Sequence, residues 1–111
     1  MTAPDEDAPI RHVVHFKFKP DADPAKVQRV VDEFAALRSK IPAIQDFEHG
    51  TNVSPEGLDK GFTHCWIVTF KNSRDRDAYL VHPDHKAFVD VLKPVLAEPL
   101  VVDFEVKKVG N

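Results

Sequence analysis

One seven-residue segment, Tyr79-Leu80-Val81-His82-Pro83-Asp84-His85, gathers a phenol and two imidazoles across a proline break. A phenol donates a hydrogen bond to a polarised carbonyl oxygen. Histidine is the side chain whose ordinary pKa lets it take up or release a proton near neutral pH. Tyr79 and His85 therefore form a minimal pair for removing a proton from the carbon beside a carbonyl. If a helix begins at Pro83, His85 falls in its first turn. There the positive end of the helix dipole disfavours imidazolium and leaves the neutral ring that a base needs. Each residue also has a plainer reading. Tyr79 can be an amphipathic-helix tyrosine with its ring in the core and its hydroxyl in water, and His85 a packing or capping residue at the break.

The surrounding pattern says what must position them. Ile10 to Lys19 alternates, with Ile10, His12, Val14, Phe16 and Phe18 on one side, and is predicted to be a strand. Asp23-Pro24 reads as an N-cap and first helical residue. Val27, Val30, Val31, Phe34, Leu37 and Ile41 then give one apolar helical stripe that Pro42 ends. Ile44 to Gly50 is a short strand and Thr51 to Gly61 a loop. Phe62 to Phe70 is a strand with Phe62, His64, Trp66, Val68 and Phe70 on one face. Asn72-Ser73 starts a helix towards Val81. Pro83 interrupts it, and a fresh helical piece is expected to carry Phe88, Val91, Leu92 and Leu96. Leu100 to Val106 closes the chain as a strand.

The order β-α-β-β-α-β predicts an α+β, ferredoxin-like fold: a four-stranded antiparallel sheet with its helices on one face. By alternation the other face carries Val13, His15, Cys65, Ile67, Thr69, Val101 and Asp103. That face is too apolar to sit in water, so it is expected to pack on a second copy as a two-fold homodimer. Residues 10–108 make one domain, and residues 1–9 read as a disordered acidic tail.

His12 lies on the helix-covered face beside Val14 and Phe16. It is either a satisfied core histidine or the third member of a catalytic set, orienting His85. His64 shares that face on a neighbouring antiparallel strand, but the two histidines sit near opposite ends, roughly six residues at about 3.3 Å each apart. They are not expected to share one proton relay. A keto-type ligand is expected between helices and sheet, near Phe16, Phe34, Trp66 and Phe88, with His64 and His82 also lining the space. His82 and His85 have an i, i+3 spacing used in metal sites. The proline between them spoils the helix geometry and no third ligand lies nearby, so no metal is expected. His15 and His49 give only solvent-facing or dimer-facing signals. Cys65, the lone cysteine, reads as a small buried hydrophobe.

A chain of 111 residues with net charge −3 and scattered basic residues does not suit a nucleic-acid surface. No apolar run approaches the roughly 20 residues of a membrane span. The acidic, proline-bearing start is the opposite of a signal peptide, so the cytoplasm is the default location.

Several segments together carry a resemblance. Arg11-His12-Val13-Val14, Ile41-Pro42-Ala43, the loop from Gly50 to Gly57, Gly61-Phe62-Thr63-His64, the Tyr79 to His85 segment and Val102-Asp103-Phe104 resemble the stress-responsive dimeric α/β-barrel (Dabb) family. The resemblance spans about Arg11 to Phe104. It implies a homodimer in which two four-stranded sheets form a central barrel with helices outside. It also implies likeness to polyketide-cyclising members, which close a linear chain by intramolecular aldol condensation and use no cofactor. Tyr79 and His85 fall on the catalytic tyrosine and histidine of that branch, His12, His64 and His82 on further histidines, and Asp103 on an aspartate. Phe34 stands where the cyclase has another pocket tyrosine, which puts the same substrate in doubt. Other members keep the histidines as stress-induced proteins without a settled activity. Two functions follow: a cofactor-independent lyase, cyclase or isomerase built on Tyr79, His85 and His12, or a non-catalytic oligomeric barrel that holds a ligand.

Overall fold

The computed structural model describes residues 7–110. Its elements run β1 (Ile10–Phe18), α1 (Pro24–Lys40), β2 (Ile44–Thr51), β3 (His64–Phe70), α2 (Ser73–Leu80), α3 (Pro83–Leu92) and β4 (Leu96–Glu105). The strands form one antiparallel sheet in the order β2-β3-β1-β4. This is the four-stranded ferredoxin-like arrangement that the pattern predicts.

Local chemistry sets the element starts. The Asp23 carboxylate accepts the Ala25 N–H at 2.9 Å and Pro24 takes the first helical position, which opens α1. The Asn72 side chain accepts from the Asp75 N–H at 2.9 Å and opens α2. At α3 the cap is His82, whose Nδ1 accepts the Asp84 N–H at 3.1 Å. Pro83 forces His82 out of the helical region, to φ −66° and ψ 137°, so α2 and α3 cannot be one helix. That break turns His85 back towards Tyr79.

The core lies between the helices and one face of the sheet. Val30, Phe34 and Leu37 of α1, Tyr79 of α2, and Phe88 and Leu92 of α3 bury against Ile10, Val14, Phe16, Trp66, Val68 and Phe70. Each large apolar side chain so buried contributes roughly 1.5–3 kcal/mol.

Four sequence expectations are corrected. Leu96 does not extend α3: the helix stops at Leu92, the Val95 N–H turns back onto the Leu92 carbonyl, and β4 begins at Leu96, four residues earlier than Leu100. Pro99 lies inside this strand, which is tolerated because β4 is an edge paired only with β1. Phe62 lies in the turn before β3, its N–H donating to the Asp59 carbonyl. Asp103 and Val101 do not share the face of Val13 and His15. Asp103 pairs with His12 and Val101 with Val14, which sets Leu100, Val102 and Phe104 on the second face instead. These three are 44%, 53% and 50% exposed, so that face is more apolar than the sequence reading had it. Finally, Ala8 is buried and the Pro9 carbonyl accepts the Val106 N–H at 2.9 Å, so ordered chain begins before Ile10. The remainder of the expected tail lies outside the described residues.

Candidate functional site

Three elements bring Tyr79, His85 and His12 together. Tyr79 is 1% exposed at the end of α2, and its ring centroid lies 4.5 Å from that of His85 in the first turn of α3. On its other side the His12 ring of β1 meets it edge-on at 5.7 Å. Phe70 packs against both, at 5.0 Å from Tyr79 and 6.3 Å from His12. The phenol ring thus contacts two imidazoles and the apolar ring of Phe70. Tyr79 is buried, but the side-chain atoms fully buried without a hydrogen bond among the described residues are His15 Nδ1 and Trp66 Nε1, not the Tyr79 hydroxyl.

The electrostatics follow from this placement. Burial, then the neighbouring His12 and His82, lowers the pKa of His85 below 6.5; the Leu80 main chain opposes the shift. His85 is neutral at pH 7 and able to accept a proton. Burial pushes the Tyr79 phenol well above its ordinary pKa of 10, and the Asp103 carboxylate adds to the shift. Tyr79 therefore stays protonated and is a donor.

His12 is not a bystander in the core. Its Nδ1 lies 2.6 Å from Oδ1 of Asp103, directly across the β1–β4 ladder. A carboxylate can only accept, so Nδ1 carries a proton and donates it to Asp103. The second Asp103 oxygen accepts from Nη1 of Arg76 at 2.9 Å, and Nε of Arg76 donates to Asp77 at 2.8 Å. The Asp103 contact was reachable from the sequence only through the family resemblance, and on the wrong face. Arg76 was missed. Its signal was spacing: it precedes Tyr79 by three residues, so both project from one side of α2.

The other sequence-predicted residues go elsewhere. Phe16, Phe34, Trp66 and Phe88 pack on one another, with Phe34 4.5 Å from Phe88, 5.0 Å from Trp66 and 6.0 Å from Phe16. They fill the space they were expected to line. His82 caps α3. His64 pairs with Phe16, four ladder positions from His12, about 13 Å along the strand. It does not join the Tyr79 cluster. His64 instead stacks with His49 at 6.1 Å, and His49 on Trp66 at 4.7 Å. His49 therefore shares the helix-side face of the sheet with Trp66, and it is exposed there, as the solvent-facing reading had it. Burial lowers the pKa of both, and His49 lowers that of His64 further.

The cavities of about 590, 490 and 380 Å³ also lie away from Tyr79. The first opens on the second face beside His15, Cys65, Ile67 and Leu100. Among the described residues no three of His, Cys, Asp and Glu converge in a metal-binding arrangement, and no helix is long and apolar enough to cross a membrane.

Fold and cluster together define a small ferredoxin-like domain with a phenol set against two imidazoles under a broken helix. The chain belongs to the Stress responsive A/B Barrel Domain (Dabb) family, which it matches over residues 10–106. It is 31% identical over 97 residues to the stress-response A/B barrel domain-containing protein HS1 of Arabidopsis thaliana, covering 87% of this chain and 89% of HS1. It is 28% identical over 99 residues to olivetolic acid cyclase of Cannabis sativa, covering 89% and 98%. Among solved structures, the hydroxynitrile lyase of Passiflora edulis superposes with a TM-score of 0.86 over 95% of this chain and 99% of that one. At 20% identity this shows the shared fold. A dimeric ferredoxin-like protein of Bacteroides fragilis superposes with a TM-score of 0.72 at 27% identity, over 88% and 96%.

Proposed function

We propose that the protein is a cofactor-independent proton-transfer enzyme acting on a small carbonyl compound. The observation that carries this is the buried Tyr79 ring in contact with both a neutral His85 and a His12 held by Asp103. Tyr79 donates a hydrogen bond to the substrate carbonyl. His85 takes the proton from the adjacent carbon, and the electron pair of that C–H bond becomes the enolate, whose oxygen the phenol stabilises. The enolate then attacks a second carbonyl of the same molecule, as in a cyclisation, or takes a proton back at another position. The similarity to olivetolic acid cyclase over nearly the whole chain supports the first outcome. Phe34 in the packed core argues for a substrate shaped differently from that enzyme's. His85 is only half-buried, so the ligand enters from the α2–α3 break.

The working unit of this reading is a homodimer through the second face of the sheet. The exposed Leu100, Val102 and Phe104 support it, as does the buried, unpartnered Nδ1 of His15 on the same face.

A second reading is favoured by the mutual packing of Phe16, Phe34, Trp66 and Phe88: a barrel with a stress-related structural role and no reaction. Proton exchange separates the two. Incubating the protein with β-diketones and β-keto esters in D2O should exchange the activated C–H protons faster than buffer does. Tyr79→Phe with His85→Ala should abolish the excess. Equal exchange by wild type and the double variant on every compound leaves only the structural barrel.

A further inference from the structure

We propose that Arg76 is a positioning residue of this site: it clamps Asp103 in one orientation and so fixes the way the His12 ring is presented to Tyr79. The inference rests on the proton-transfer reading for its purpose, but its geometry stands alone.

Asp103 has two oxygens and both are engaged. One meets the His12 Nδ1 at 2.6 Å and the other the Arg76 Nη1 at 2.9 Å. A carboxylate held by one contact can rotate; held on both oxygens it presents a single lone-pair direction to the imidazole. The guanidinium is itself fixed by Asp77 at 2.8 Å, and its side chain is only 23% exposed. Its bonds to Asp103 and Asp77 raise its own pKa further, so it is charged at every pH at which the protein is folded.

The effect on His12 follows from geometry. Tyr79 from α2 and His85 from α3 lie near His12, and Val68 and Phe70 of β3 flank it. A carboxylate free to turn would let the His12 ring lose its Nδ1 contact; held by Arg76, it keeps Nδ1 turned to Asp103 and the ring edge against Tyr79.

The test is imidazole NMR. The ring signals and Nδ1 hydrogen bond of His12 are compared at one pH in wild type, Arg76→Met, Arg76→Lys and Asp77→Asn, with β-diketone proton exchange measured on the same samples. Arg76→Met should move and broaden the His12 ring signals, weaken the Nδ1 hydrogen bond and slow exchange about tenfold. Arg76→Lys should restore most of both. Asp77→Asn, at an exposed position, frees the guanidinium from its second partner and should give a smaller change in the same direction, which keeps the inference testable if Arg76→Met does not fold. Unchanged His12 signals in folded Arg76→Met, or in Asp77→Asn where the former cannot be made, overturn the assignment. Changed signals without any catalysed exchange, even in wild type, instead remove the enzymatic reading and leave the clamp in place.

Discussion

The rings of Tyr79 and His85 lie 4.5 Å apart, centroid to centroid, and tilted by 55°, across the break between α2 and α3. Neither helix alone could arrange this. Pro83 turns the chain so that a residue in the first turn of α3 comes back over the last turn of α2. A phenol and a neutral imidazole are thereby held against one another in a partly dry place.

That contact gives a pH dependence with a definite sign. His85 acts as a base only when neutral, and its pKa lies below 6.5. Catalysed exchange should rise as pH climbs through that lowered midpoint and be flat by neutrality. It should then hold until the Tyr79 phenol ionises, well above pH 10. The measurement is exchange rate against pH. A profile still rising between pH 7 and 9 would mean that another group is the base.

Tyr79 is the sole tyrosine, so its ionisation can be seen directly in the phenolate absorbance. An exposed phenol is half-ionised near pH 10. The native protein should show almost no phenolate there, and the signal should appear only as the chain unfolds. Normal titration in the folded state would show that the phenol sits in water and not against His12 and His85.

The lone Trp66 offers a similar view of the other end of the sheet. His49 stacks on it at 4.7 Å and His64 at 5.9 Å. An imidazolium quenches indole emission, whereas a neutral imidazole does so little. Because both histidines have lowered pKa values, emission should stay constant from pH 8 to about 6.5 and fall below it. His49→Gln should remove most of the fall.

Much of this was legible in the residues. Caps and prolines at Asp23-Pro24 and Asn72, with the break at Pro83, marked the helices. The alternation of β1 put His12 under the helices. What could not be read was the parity of β4. Leu100, Val102 and Phe104 look like core residues beside Val101, Asp103 and Glu105, and only the pairing of Asp103 with His12 decides which set faces the helices. That one-residue shift moves every side chain to the opposite face, and it hid the Asp103–His12 bond. Arg76 stayed hidden for the same reason, since its partner is 27 residues away in sequence. The packing of Phe34 against Phe88 was likewise out of reach, because aromatic residues on facing elements can either line a space or fill it.

Phe34 can test which. It is 1% exposed and wedged among Phe16, Trp66 and Phe88. Phe34→Tyr adds one hydroxyl to this packed core, and a buried hydroxyl left unsatisfied costs about 1–3 kcal/mol. Urea unfolding should show a loss of that size. An unchanged midpoint in Phe34→Tyr, and in Phe34→Tyr combined with Trp66→Phe to remove the unpartnered indole N–H, would mean that the added oxygen finds water or a cavity, and so that these rings border a pocket.

The second face of the sheet makes the remaining prediction. Val102 is 53% exposed in the single chain, beside Val13 on β1 and flanked on its own strand by Leu100 and Phe104. A monomer gains little by burying none of these, whereas a second copy would remove a contiguous apolar strip from water. Val102→Glu should therefore leave the monomer's fold intact, because the new carboxylate would sit in solvent, yet prevent pairing by placing a desolvated charge at the interface. Sedimentation velocity should show wild type at twice the chain mass of 12.5 kDa and the variant at the single mass, with unchanged far-UV circular dichroism. If Val102→Glu sediments as wild type does, the copies do not meet through this face. The buried His15 Nδ1, on the same side of the sheet, would then need another explanation.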